Sequence, residues 1–185
     1  MKRSILWLLL TMFIAAYSIA YADTVQIGTG TSTTSYLPLY GLYGYSYTQQ
    51  IYTQTQIGVS GNIEKIRFYY VSGTITNSKD WVIYMGHTTK TEFSSTTDWE
   101  PLANLNQVFA GDVSSLVPLA NNWMEITLDT PFNYNNTDNL IIAVDENTSG
   151  WASMSWGAFT SGTNTGIYYY NDNINPDPAS PPTAS

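Results

Sequence analysis

The chain reads as all-β: a two-sheet antiparallel β-sandwich, jelly roll preferred over an immunoglobulin topology, preceded by a signal peptide. Three observations predict it. From Asp23 onward, apolar and polar residues alternate with a period of two in one short run after another. Clusters of Gly, Asn, Asp and Ser separate those runs. No stretch of eleven or more residues beyond the leader holds a clean apolar stripe at helical spacing.

The leader opens with Lys2 and Arg3, continues through an apolar run over 5–16 broken only by Thr11, and ends in Ala20-Tyr21-Ala22. Small residues at the two positions a signal peptidase reads place the cut between Ala22 and Asp23. The run is short for a membrane span, and no later stretch is apolar enough to be one. An uncleaved membrane anchor is the alternative. Three segments follow: 1–22 a signal peptide, 23–170 a sandwich module, 171–185 a Pro-rich linker or tail with Pro176, Pro178, Pro181 and Pro182. The ending Pro181-Pro182-Thr183-Ala184-Ser185 suggests a piece of a longer modular protein.

Strands are expected over 24–28, 50–57, 63–71, 81–86, 106–109, 123–128, 140–144 and 166–170. In 123–128, Trp123, Glu125 and Thr127 alternate with Met124, Ile126 and Leu128. In 63–71, Ile63, Lys65, Arg67, Tyr69 and Val71 are expected to share one face, and Glu64, Ile66, Phe68 and Tyr70 the other. The run 140–144 is apolar throughout and reads as a central strand. Residues 28–49, with Tyr36, Tyr40, Tyr43, Tyr45 and Tyr47, are long for a loop and so are functional or packed by their own aromatics.

Composition excludes several functions. Beyond Ala22 the basic residues are Lys65, Arg67, Lys79 and Lys90 against fourteen acidic ones, a formal net charge of 4 minus 14, or −10. No basic cluster is present to neutralise a row of phosphates, so nucleic acid is excluded as a partner. The absence of Cys excludes disulfides, thiol catalysis, thiolate zinc sites and lipid attachment. The expected location is secreted or cell surface, with no membrane span after processing.

The strings Val25-Gln26-Ile27-Gly28, Tyr45 through Tyr52, Trp81-Val82-Ile83-Tyr84-Met85-Gly86-His87-Thr88, and Asp138 through Asn147 resemble modules in large secreted surface proteins of Bacteroidota-type bacteria. More loosely, the chain from Asp23 to about Ser180 is similar to the jelly-roll cleaved-adhesin domains beside secreted proteases. The resemblance implies a sandwich fold, neighbouring domains in a longer chain, and structural calcium in some relatives. It implies no single activity.

Calcium is the cofactor to test against the residues, since hard cations take carboxylate and carbonyl oxygens. Asp145, Glu146 and Asn147 follow the apolar strand directly and are the candidate ligands. The alternative is that they cap turns through their own backbone. For a ligand surface, Trp151 and Trp156 flank an expected loop, Tyr168 and Tyr170 share one strand face, and Tyr43 and Tyr45 belong to the tyrosine-rich segment. Aromatics are also ordinary sheet material, and Trp81 and Trp123, which open strands, are assigned to the core.

No catalytic machinery is legible. His87 is the only histidine, no Ser sits in a nucleophile elbow, and Gly28-Thr29-Gly30 lacks a following helix. Glu64, Glu92, Glu100, Glu125, Asp129 and Glu146 supply carboxylates without a visible opposed pair; Glu125 would line a sugar groove if it faces the same way as Trp123.

The expectation is a non-catalytic extracellular adhesion or recognition module contacting a glycan or protein. A carbohydrate-binding module is one alternative, favoured by a patch at Trp151 or Trp156 and weakened by their burial. A structural spacer or filament subunit is another, favoured if the tyrosine-rich segment packs onto the sandwich or pairs with another copy.

Overall fold

The computed structural model describes residues 23–29 and 32–185, so the expected leader lies outside the described residues. Nine strands form two antiparallel sheets: β1 (Ser32–Thr34), β2 (Tyr45–Tyr52), β3 (Gly61–Gly73), β4 (Asp80–Thr88), β5 (Asn106–Asp112), β6 (Asn122–Tyr134), β7 (Asn139–Glu146), β8 (Met154–Ala158) and β9 (Gly166–Asn171). One sheet has the order β1-β8-β3-β6, the other β5-β4-β7-β2-β9. The protein is therefore all-β, with two sheets facing each other as a sandwich.

The pairing is nested. β1 pairs with β8, β2 with β7, β3 with β6 and β4 with β5, all antiparallel. The pairs β3·β8 and β4·β7 join these ladders into the two sheets. β9 stands outside the nested set and extends the second sheet from the free side of β2.

Side-chain alternation divides each strand between two faces. Between the sheets lie Trp81, Ile83, Met85, Ile142 and Val144 from one side and Ile66, Phe68, Met124, Ile126 and Trp156 from the other. The outer face of the five-stranded sheet carries a second buried cluster, in which Tyr47, Ile51, Ile141 and Ala143 meet Phe93 and Trp99 from the β4–β5 connection. Gln49 pins that connection: its amide donates to Glu100 O at 2.9 Å and accepts from Glu100 N at 2.7 Å. This buried side chain mimics a strand neighbour for one residue. The last residues lie over the same face, with Trp99 Nε1 donating to Pro182 O, Ala184 N to Thr96 O, and Ser185 N to Tyr168 O.

Several expectations need correction. Residues 24–28 form no strand, because alternation there finds no neighbouring edge to pair with; Gly28 instead turns at φ +81° against the Phe159 ring. The strand expected over 50–57 begins earlier, at Tyr45, and gives way to a single helical turn, α1 (Gln54–Ile57), capped by Thr53. β1 and β8 had not been anticipated. Trp123 is 39% exposed on the outer face of β6, while its neighbour Met124 points into the core. Period-two alternation decides the side, and β6 sits with its odd residues toward solvent.

Candidate functional site

The sequence-predicted aromatic residues separate into groups. Residues 35–44 fold across the inner side of β2 and β9, where Leu39 joins the inter-sheet core and Gly41 lies against Met154 of the facing sheet. The Thr48 hydroxyl donates to Pro38 O, Tyr40 N donates to Ser46 Oγ, and Leu39 is fully buried beneath the segment. Its tyrosines meet those of β9 at the rim of the sandwich. Tyr36 stacks on Tyr168 at 4.9 Å between ring centroids, Tyr43 stacks on Tyr170 at 4.0 Å, and Tyr40 stands edge-on to Tyr170 at 4.8 Å. Repulsion from neighbouring Tyr170 raises the Tyr43 hydroxyl above the ordinary phenol range, and partial burial raises that of Tyr40. Tyr40 and Tyr43 are therefore neutral phenols at physiological pH.

Tyr43, Tyr168 and Tyr170 are thus brought together, joined by Tyr36 and Tyr40. Tyr45 is not: alternation along β2 puts it on the side of Tyr47, away from the rim. Trp156 is buried in β8 with its Nε1 unpartnered, stacked edgewise against Phe68 and Trp81. Trp151 is 65% exposed. Its neighbour Ala152 bonds Gly41 O, so it lies at the end of the molecule where residues 40–44 sit.

The three calcium candidates do not form one shell. Asp145 faces the outer side of β7, near Tyr47 and Tyr84, and Glu146 faces the core side beside Trp81 and Ser46. Asn147 turns back to donate to Asp145 Oδ2 at 3.0 Å, the turn-capping geometry. Desolvation raises both carboxyls, Asp145 to about 6 and Glu146 to about 8. Each leaves one buried oxygen without a partner. Among the described residues no group of three or more His, Cys, Asp or Glu side chains is placed to hold a metal ion.

His87 stacks between Phe132 and Tyr134, and its Nε2 accepts from Asn135 N. That is an ordinary structural setting for a strand-end histidine.

One surface was missed. The outer face of the four-stranded sheet carries Tyr69 and Trp123 as a cross-strand pair, ring centroids 5.2 Å apart at 73°. The next row along the strands holds Arg67 opposite Glu125, and the following one Lys65 opposite Thr127. Glu125 binds Lys65 Nζ at 2.6 Å and Arg67 Nη2 at 2.5 Å, which holds its carboxyl below the usual range. Glu125 does share its face with Trp123, as alternation required. The signal was present in the sequence as the odd-numbered residues of 63–71 and 123–128, split apart by the assignment of Trp123 to the core.

No family model matches the chain, and no curated protein or solved structure matches it. Among the described residues no helix is long and apolar enough to cross a membrane.

Proposed function

We propose that this chain is a non-catalytic extracellular recognition module whose contact surface is the tyrosine rim. The observation that carries this reading is the convergence of Tyr36, Tyr40 and Tyr43 with Tyr168 and Tyr170, more than a hundred residues away in sequence. None of these rings belongs to either buried cluster, and Tyr36 is 41% exposed. Tyrosine supplies a large rigid contact area with a polar tip and few rotatable bonds, which suits an exposed recognition surface.

The scaffold of this reading is a jelly roll. It is supported by the nested strand order, first with eighth through fourth with fifth, that results when one long antiparallel hairpin is folded over on itself. Secretion by a cleaved leader at Ala22 and a place in a longer surface protein belong to the same proposal.

The test is binding of the full chain to arrays of extracellular glycans and matrix-type proteins, with calcium and with chelator. The chelator arm addresses Asp145 and Glu146, each of which has a buried oxygen without a partner. Binding lost in a Tyr43→Ala/Tyr170→Ala double variant with an unchanged fold supports the rim. Binding that survives this change removes it. A structural spacer is the second reading, favoured by the packing of residues 35–44 onto the sandwich; absence of binding on every surface would select it.

A further inference from the structure

Five tyrosines meet at the rim, and two of them lie close enough for chemistry between their rings. Tyr43 and Tyr170 stack with centroids 4.0 Å apart and planes 30° from parallel. The Tyr170 hydroxyl is the first cause of the raised Tyr43 phenol, which places the two hydroxyls at the same end of the stack. Backbone fixes the approach. Gly44 passes so near the chain after β9 that a Cβ there would lie 2.5 Å from Asp172 O, and its N–H donates to Asp172 Oδ1 at 3.3 Å. Both rings are half-buried, so solvent and small oxidants reach them.

The pair joins distant parts of a chain that has no cysteine. Gly44 and Asp172, beside it, stand 128 residues apart. A side-chain bond at this place would close a loop of about that size and restrict the unfolded chain, as a disulfide does. Tyr43 lies in the bends before β2 rather than in a strand, so its ring can tilt to bring the ring edges together while β9 holds Tyr170. Tyr36 and Tyr168 are a second stacked pair across the same gap, more widely spaced at 4.9 Å.

We infer that Tyr43 and Tyr170 are a coupling site for oxidation to dityrosine, with hydrogen peroxide and a haem peroxidase or similar one-electron oxidant as co-reactants. Each phenol gives up one electron and its hydroxyl proton, leaving a radical spread over the oxygen and the ring carbons beside it. The two radicals join through one such carbon on each ring. The hydrogen displaced from each joined carbon returns to the oxygen of its own ring, so both phenols are restored. The net loss is two electrons and two protons, which reduce one hydrogen peroxide to two waters. Rings held in contact couple before a radical meets another chain, because the second reactant is already in place. The reaction does not require the rim to bind a partner, so it stands apart from the recognition reading.

The experiment is oxidation of the dilute full chain by a haem peroxidase with limiting hydrogen peroxide, followed by dityrosine fluorescence, a denaturing gel and peptide mapping by mass spectrometry. The expected product is a monomer in which a peptide holding Tyr43 is joined to one holding Tyr170 with the loss of two hydrogens. Its Tm should lie above that of the untreated chain. Tyr43→Phe keeps the stack and removes the phenol. It should lower the fluorescence several-fold, abolish the joined peptide and lose most of the gain in Tm, while its own Tm before treatment stays that of the parent. Tyr45→Phe, on the other side of β2, should couple as the parent does. Dityrosine found only in dimers would overturn the assignment, and so would parent-level fluorescence in Tyr43→Phe. Absence of the joined peptide from the oxidised monomer would do the same.

Discussion

The two sheets present outer faces of opposite character, and the difference begins in the strands. β7, with the sequence Asn-Leu-Ile-Ile-Ala-Val-Asp-Glu, is buried along almost its whole length because both of its sides are apolar. Leu140, Ile142 and Val144 fill the sandwich, while Ile141 and Ala143 need a second cover. The β4–β5 connection and the last residues supply it through Phe93, Trp99 and Gln49. β6 alternates strictly, Met124, Ile126 and Leu128 inward against Trp123, Glu125 and Thr127 outward, and needs no cover. A strand apolar on both faces calls for a roof; one that alternates leaves a face free for use.

The largest break in this comparison is Trp99→Ala. Trp99 packs on Tyr47 and anchors Pro182, so its loss should destabilise the fold by about 3–5 kcal/mol, seen as a lower Tm and faster proteolysis of the β4–β5 connection. The corresponding change on the open face, Trp123→Ala, should move stability by less than ~1 kcal/mol. Similar losses at the two positions would erase the distinction.

The second effect is pH dependence. Glu146 is raised from 4.5 to about 8 and Asp145 from 3.8 to about 6, both chiefly by desolvation. The folded state therefore holds their protons more tightly than the unfolded one. Stability is full below about pH 4 and is lost as pH rises, through 6 for Asp145 and through 8 for Glu146. Asp98 and Asp112 act in the opposite sense. Their hydrogen-bonded lysines hold them near 2, so the stability they add is present above 3.8 and lost as pH falls toward 2. Thermal melts should peak near pH 4, and Glu146→Gln should flatten the decline between pH 5 and 8 by roughly 2–4 kcal/mol. A parent melting temperature constant over that range would sink this account of the buried carboxyls.

A smaller loss is expected at the β3–β8 edge. Gly73 sits at φ +117°, and a Cβ there would lie 2.1 Å from Ser153 O, so Gly73→Ala should cost about 1–3 kcal/mol in denaturant unfolding. Smallest of all is Glu125→Gln, which should leave the unfolding midpoint almost unchanged, because its two ion pairs are solvent-exposed.

What could be read from the sequence follows the same division. β3, β4, β6, β7 and β9 announced themselves by alternation or by a long apolar run. The first half of β2 did not. Ser46, Thr48 and Gln49 are polar yet fully buried, satisfied by the segments that fold over them, so hydropathy says nothing of their burial. β8 is five residues long and includes Gly157, too short and small to separate from a turn. The tyrosine rim was half legible: the residue types stood out, but no local pattern says that Tyr36 meets Tyr168. Trp123 was misplaced because a large aromatic outweighed the alternation that its own neighbours spelled out.

The nested pairing also fixes the order in which this molecule can come together. Ser32 finds Ala158 only after every strand between them exists, and the hairpin from β4 to β5 is the one nested pair whose members adjoin in sequence. Ring closures grow longer outward from that centre, so loop entropy makes the outermost ladder the last to form. Refolding on the millisecond-to-second scale of other non-local β proteins is expected, with the edge of β8 open until late. A chain built this way can begin from its middle, but it closes its outermost ladder only when nearly all of it has arrived.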